Sequence, residues 1–356
     1  MKKHFKSWMS LALALVCISI LFSCEKEDST GSSASSNPKV DLIDPEKGAS
    51  NQVLTITGNG IGGMTSVMFE TDSVLVDFNP NFNTENAMIF RIPTDVIPGQ
   101  QNIIFKNSKG VEVKVPFTVL GLPTITNVSN YNYNAGDNIT LTGKNLADVS
   151  KVVFTGQSTA LDIVSKTATT LTIKMPVTTL TSSKLNITNE AGVISTTQEF
   201  VSMANAYLIF TDDYQNGFVN ASWGGGEVSS TVARSGASSF KTTYGKGNWS
   251  ANGVASWNTG VTNVNYKYLS FWIKGGLIEH TIYLTSDQRP AGYGNADVTT
   301  PIVVPANVWT YFKLDLEKDK VLLWSKGPVF KQLGFWTKGP DNADETIYFD
   351  DVILIK

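Results

Sequence analysis

The sequence predicts an all-β protein in which two tandem sandwiches are followed by a C-terminal β-jelly roll. Thr, Val, Ile, Asn and Gly recur in short alternating runs, and no long stretch keeps a helical period. The first half of the chain repeats itself at a spacing of about 85 residues. The second half adds a further succession of short strands, unrelated to the repeat, in which the tryptophans are concentrated.

The chain opens with Lys2, Lys3 and Lys6 before the apolar run W-M-S-L-A-L-A-L-V-C-I-S-I-L-F, so residues 1–23 read as a signal peptide. The run is short for a membrane span of about 20 residues. Leu21, Phe22 and Ser23 before Cys24 resemble the lipobox of bacterial lipoproteins, which implies lipidation of Cys24. The other cysteine, Cys17, leaves with the leader, so the mature chain has no partner for an internal disulfide. Acyl chains contribute about 0.8 kcal/mol per buried methylene, and two or three of them hold a soluble body at a bilayer. Glu25, Glu27 and Asp28 resemble export signals of lipoproteins that reach the outer face of the outer membrane. Residues 24–37, rich in Ser and Gly, read as a flexible linker.

Cleavage leaves roughly 333 residues, room for two or three domains. Losing three lysines from 28 basic residues leaves 25 against 31 acidic ones, a net charge of −6 with no basic block. Nucleic acid is therefore not an expected partner.

Residues 38–120 and 121–203 form the repeat. Leu54–Phe69 aligns with Ile139–Phe154 at an offset of 85. F-R-I-P aligns with I-K-M-P, K-N-S-K-G-V with T-N-E-A-G-V, and Phe117 with Phe200, at offsets of 82 or 83. Each copy has about 80 residues of short strands with turn signals every 8 to 12 positions, as in an immunoglobulin-like sandwich. Gly58 and Gly143 are expected at turns that need positive φ. The shared T-x-T-G and N-x-x-G patterns resemble the IPT/TIG family, which implies spacer or protein-contact modules. Neither copy has Trp or His, and Asp72, Asp77 and Asp95 are scattered, so both read as a stalk.

Seven of the eight tryptophans lie between Trp223 and Trp336, within residues 204–356. A sandwich core uses one or two large aromatics, so the surplus points to a surface that receives flat apolar faces such as pyranose rings. The strands run from Y-L-I-F-T-D-D-Y through Y-L-S-F-W-I-K, T-I-Y-L-T-S-D, V-W-T-Y-F-K-L-D-L and K-Q-L-G-F-W-T-K to E-T-I-Y-F-D-D-V-I-L-I-K. Asp212–Asp213–Tyr214, Ser235–Ser239 and Phe349–Val352 resemble features of jelly-roll carbohydrate-binding modules. A lipoprotein cysteine, TIG-like spacers and such a module together resemble the surface glycan-binding proteins of Sus-like polysaccharide-uptake systems, of the SGBP-B type. That resemblance implies a β-glucan ligand (xyloglucan, mixed-linkage glucan or β-1,3-glucan), with a porin and a companion glycan-binding protein as partners.

Trp249 in a Gly/Asn/Ser loop, Trp336 alternating against Leu333 and Phe335, Trp324 and Trp223 near loop glycines, and Trp257 at the end of G-V-A-S-W are the candidate sugar-stacking residues. Trp272 and Trp309 are expected to pack. Asp287, Gln288, Arg289 and Tyr293 in S-D-Q-R-P-A-G-Y-G-N are the polar candidates, combining acceptor, amide, bidentate donor and aromatic in one loop. The resemblance also implies a structural Ca²⁺ held by Asp213 (or Asp212), Asp350 and a carbonyl near Lys241, since oxygen ligands suit that hard ion. No other cofactor is expected.

Two other readings use the same residues. A glycoside hydrolase needs two carboxylates about 5 to 10 Å apart, and acids are present in the third domain. About 150 residues leave little room there for a cleft beside the sandwich, however, and His280 is the only histidine of the mature chain. No nucleophile elbow, zincin or P-loop pattern appears. An enzyme is not expected. An adhesin using the tryptophans on a protein partner is the alternative, because tryptophan is also enriched in protein hot spots.

Overall fold

The computed structural model describes residues 32–294 and 301–356. The leader, Cys24 and the start of the spacer lie outside the described residues. The chain divides into two compact units, the first ending at Gly121 and the second running from Leu122 to Lys356.

In the first unit a three-stranded sheet (Lys39–Asp44, Val53–Asn59, Ala87–Arg91) and a five-stranded sheet built on Gly99–Asn107 and Glu112–Leu120 enclose one core. Alternation sends Leu54, Ile56, Val67, Phe69, Ile103 and Phe105 into it, all essentially without solvent exposure. Residues 32–37, assigned to the flexible linker on sequence, are tied to this sandwich instead. Ser32 Oγ donates to the Asn83 carbonyl at 2.8 Å, and Asn107 Nδ2 donates to the Ser35 carbonyl at 2.7 Å.

The second unit begins with the second copy, whose strands Asn138–Lys144, Lys151–Phe154 and Leu185–Asn189 bury Leu141, Val152, Leu185 and Ile187. The repeated motifs do the same physical work in both copies. Asn107 Oδ1 accepts from the Lys109 and Val111 amides, and Asn189 Oδ1 accepts from those of Ala191 and Gly192, so each N-x-x-G caps its own turn.

The glycines of T-x-T-G correct the sequence reading. Neither Gly58 nor Gly143 has positive φ. Both sit in strands opposite a bulge in the neighbouring strand, where its carbonyl crowds the glycine. A Cβ would lie 2.1 Å from the Lys39 oxygen at Gly58 and 1.6 Å from the Thr124 oxygen at Gly143. Close backbone approach, not turn geometry, demands glycine there.

The rest of the second unit is a two-sheet jelly roll. One sheet has six strands: Tyr207–Phe210, Gly226–Ser229, Ser239–Tyr244, Tyr268–Lys274, Trp309–Asp315 and Glu345–Ile355. The other runs in the order Val219–Asn220, Trp249–Ala255, Gln332–Lys338, His280–Ser286, Pro301–Val304. Phe240, Leu269, Phe271, Ile273, Leu284, Leu333, Phe335 and Phe349 fill the space between them.

On Tyr268–Lys274 the second face is buried as well, because the second sandwich covers it. Trp272 stacks on Tyr131 with ring centres 5.9 Å apart, and its Nε1 donates to Asn130 Oδ1 at 2.9 Å. Arg234 lies 4.0 Å from the Trp272 ring centre and donates to the Val128 carbonyl at 2.9 Å. Asn130 Nδ2 donates to Asp351 at 3.2 Å, Lys313 pairs with Glu199, and Val201, Met203, Ile353 and Ile355 form a small apolar cluster. Trp272 is thus a junction residue, and the two sandwiches of this unit keep separate cores joined by a small buried contact.

Two predictions follow from this packing. Alanine at Gly58 or Gly143 should cost about 1–3 kcal/mol in urea unfolding, with equal midpoints to wild type refuting the crowding argument. Burial, with the charge of Asp351 second, pushes Asp350 from 3.8 up to about 8. The folded state then holds a proton that the unfolded state has released, so the contribution of Asp350 to stability is greatest at low pH and falls as pH rises from about 4 to about 8. Thermal midpoints measured across that range should decline for wild type and decline less steeply for Asp350→Asn, with the raised Asp351 carboxyl supplying the remainder.

Candidate functional site

The outer face of the five-stranded sheet holds the exposed tryptophans. Along Trp249–Ala255, Asn252 and Val254 oppose Phe335 and Leu333 on the core side, which leaves Trp249, Ala251, Gly253 and Ala255 facing outward. The same register turns Gln332, Gly334, Trp336 and Lys338 outward, and Tyr283 and Thr285 beside them. Trp223 joins this face through paired backbone bonds with Ala251, at 2.8 and 3.2 Å.

At one end Trp249 lies over Trp336, with ring centres 4.1 Å apart and planes tilted by 41°. Tyr283 flanks both rings, 6.0 Å from Trp336 and 6.5 Å from Trp249. The sequence reading missed Tyr283, although its alternation against Ile282 and Leu284 marks it as outward. In the middle, Gly253 and Gly334 face each other across the strands and leave a strip of backbone without side chains, buried under a covering ring. Tyr293 lies on that strip: a Cβ would meet its hydroxyl at 2.3 Å from Gly253 and 2.1 Å from Gly334. Trp223 stands edge-on to Tyr293 at 5.2 Å. Burial raises the Tyr293 phenol well above its ordinary pKa. At the far end, Ser256 is buried and Trp257 follows it into solvent. The strand between the two, Trp249–Ala255, spans about 20 Å.

Exposure sorts the candidates. Trp223, Trp249 and Trp257 are 41%, 48% and 50% exposed, whereas Trp336 is 4% exposed. Trp336 does point away from the core, as its alternation predicts, but it is sealed beneath Trp249 rather than open. Trp324 is corrected outright. Its Nε1 donates to the Val261 carbonyl at 2.8 Å, and its ring packs on Tyr266 and Phe330 at the edge of the core.

Three of the four polar candidates brace a loop. Asp287 Oδ1 accepts from the Lys331 and Gln332 amides, both at 3.0 Å. Gln288 is buried, donating to the Val329 carbonyl at 3.0 Å and accepting from the Lys326 amide at 3.1 Å. Arg289 is 2% exposed and donates to the Leu284 carbonyl at 2.8 Å. Their work is to hold the turn that carries Tyr293, whose neighbour Gly294 donates its amide to Thr285 Oγ1 at 2.8 Å. Only Tyr293 of this group reaches the face.

The expected calcium shell is not assembled. Asp350 is fully buried, and its oxygens accept from the amides of Arg234, Ser235 and Asp351. Asp213 is exposed, with Oδ1 on the Tyr214 amide, and Lys241 lies in a ladder between two strands. Among the described residues no group of three or more His, Cys, Asp or Glu is placed to hold a metal. The Asp350 carboxyl oxygens are met by backbone N–H donors.

Residues 123–202 match the IPT/TIG domain family. This segment is the second of the two sandwiches. No curated protein matches the chain. Among solved structures, a surface glycan-binding protein from Prevotella bryantii is 15% identical with a TM-score of 0.45, over 91% of this chain and 99% of that one. An SGBP-B from a xyloglucan utilization locus of Bacteroides uniformis is 17% identical with a TM-score of 0.43, over 90% and 99%. An SGBP-B from Bacteroides ovatus, in complex with a mixed-linkage heptasaccharide, is 15% identical with a TM-score of 0.31, over 90% and 74%.

If Asp287 only braces the loop, Asp287→Ala should lower stability by about 1–3 kcal/mol in chemical denaturation. An unchanged midpoint would return Asp287 to the list of free polar groups on the face.

Proposed function

We propose that the protein binds a polysaccharide along the outer face of its five-stranded sheet, without chemistry. One observation carries the reading: Trp223 and Trp249, each about half exposed, share that face with Tyr283 and Tyr293, and Trp257 stands exposed in the turn just beyond the strand end. Indole and phenol rings take the apolar C–H faces of pyranoses, while the flanking amide and ammonium groups of Gln332 and Lys338 take hydroxyls. A face this long suits a chain rather than a single sugar, and a β-glucan (xyloglucan, mixed-linkage glucan or β-1,3-glucan) is the expected class. The two N-terminal sandwiches serve as a stalk, and the lipid on Cys24 tethers the whole to the outer membrane at the cell surface. There it captures polysaccharide for an uptake system with a porin and a companion binding protein.

The face supports binding over hydrolysis. Its five strands contain no Asp or Glu, which favours binding over the paired-carboxylate chemistry of a hydrolase. His280 is buried on the core side, 3.7 Å from Glu345.

A few stacking contacts on an open face correspond to millimolar to micromolar dissociation constants, roughly −4 to −8 kcal/mol. Many tethered copies raise avidity through effective concentration. Calorimetry of the full chain against soluble β-glucans tests this. Trp249→Ala and Trp257→Ala should each weaken binding at least about tenfold with a melting temperature within a few degrees of wild type. Absence of heat with every glycan would favour a protein partner, and release of reducing sugar would overturn the non-catalytic reading.

A further inference from the structure

Indole N–H groups that this fold buries are given acceptors, with one exception. Trp272 donates to Asn130 and Trp324 to Val261. The Nε1 of Trp336 is sealed from solvent and has no hydrogen-bond partner among the described residues. A desolvated donor left unpaired destabilises the state that contains it. Trp336 is also unlike the other two in position, since it belongs to neither the core cluster nor the junction but to the outer face. What lies on it is Trp249, a ring with half its surface in water. Trp249 is the first residue of its strand and lies two positions after Gly247, whose φ is +67°. Turning it away needs a side-chain rotation and no break in the ladder, a fast motion for an exposed ring.

We propose that Trp249 is a movable cover over Trp336, and that an arriving glycan displaces it to accept a hydrogen bond from Trp336 Nε1. This inference rests on the proposed glycan-binding face and assigns its two overlapping tryptophans different roles. Trp249 supplies a stacking ring that moves. Trp336 supplies a fixed donor, which selects ligands with a hydroxyl or ring oxygen at that point and disfavours purely apolar surfaces. Water can also pair the uncovered N–H, so the glycan favours the displaced state through its differential affinity, adding the stacking contact of the moved ring to the hydrogen bond.

Two indoles this close give an exciton couplet in far-ultraviolet circular dichroism, and that couplet reports the pair directly. In the full-length wild-type protein the couplet should be present without ligand and lost on saturation with whichever of xyloglucan, mixed-linkage glucan or β-1,3-glucan binds best. Trp249→Ala should lack it from the start. Trp336→Phe, which keeps an aromatic ring and deletes the N–H, should bind that glucan about tenfold more weakly, near 1.4 kcal/mol. A couplet that survives saturation, or a folded Trp336→Phe with wild-type affinity, overturns the inference while leaving the binding face intact. Failure of the wild-type protein to bind any of the three glucans removes both.

Discussion

A strand side chain has two directions available, and on the paired strands Trp249–Ala255 and Gln332–Lys338 that constraint separates interior from binding face. Leu333 and Phe335 enter the core because Val254 and Asn252 oppose them, and the intervening positions must then face outward. A slip of one residue would bury Trp249 and expose Phe335. The outward positions are also graded in size. Trp336 stands at one end, while the Gly253–Gly334 pair in the middle leaves room for Tyr293 to lie against backbone. The aromatic face is therefore made of rings from four separate stretches of chain, around Trp223, Trp249, Tyr283 to Tyr293 and Trp336.

The loop carrying Tyr293 depends on the same economy of space. Asp287, Gln288 and Arg289 look like ligand-binding groups because they are polar and adjacent. Their hydrogen bonds instead run to the backbone of Leu284, Lys326, Val329, Lys331 and Gln332. Burying such groups is favourable only when they are paired, and pairing them to backbone fixes a loop more firmly than apolar contact alone. Precision at Tyr293 and Trp223 is the consequence.

The junction in the second unit follows a different rule. Trp272, Arg234, Tyr131 and Asn130 form a chain of ring and hydrogen-bond contacts leading to Asp351, and this fastens the second sandwich to the jelly roll. A face that would otherwise be wet becomes interior, which is why Ser270 and Trp272 are as buried as Leu269 and Phe271. A rigid base of this kind gives the aromatic face a fixed orientation relative to the sandwich beneath it.

Much of the fold was legible from the sequence because strand formation is set by local alternation and by turn residues, both visible in one dimension. The all-β class, the repeat, the N-x-x-G turns and the inward set Leu269, Phe271 and Ile273 follow from that pattern. The outward direction of Trp336 was legible for the same reason. Its concealment was not, since burial depends on Trp249, 87 positions away in the chain. Gly58 and Gly143 were recognisable as required glycines, but the carbonyls that require them come from the neighbouring strand. Whether Asp287, Gln288 and Arg289 face a ligand or the backbone, and whether Trp324 packs or binds, was equally undetermined. The sequence by itself determined which way each strand residue points, because the pleat fixes that locally. Only the tertiary structure decided what covers each side chain, because coverage is a property of surfaces brought together from distant parts of the chain.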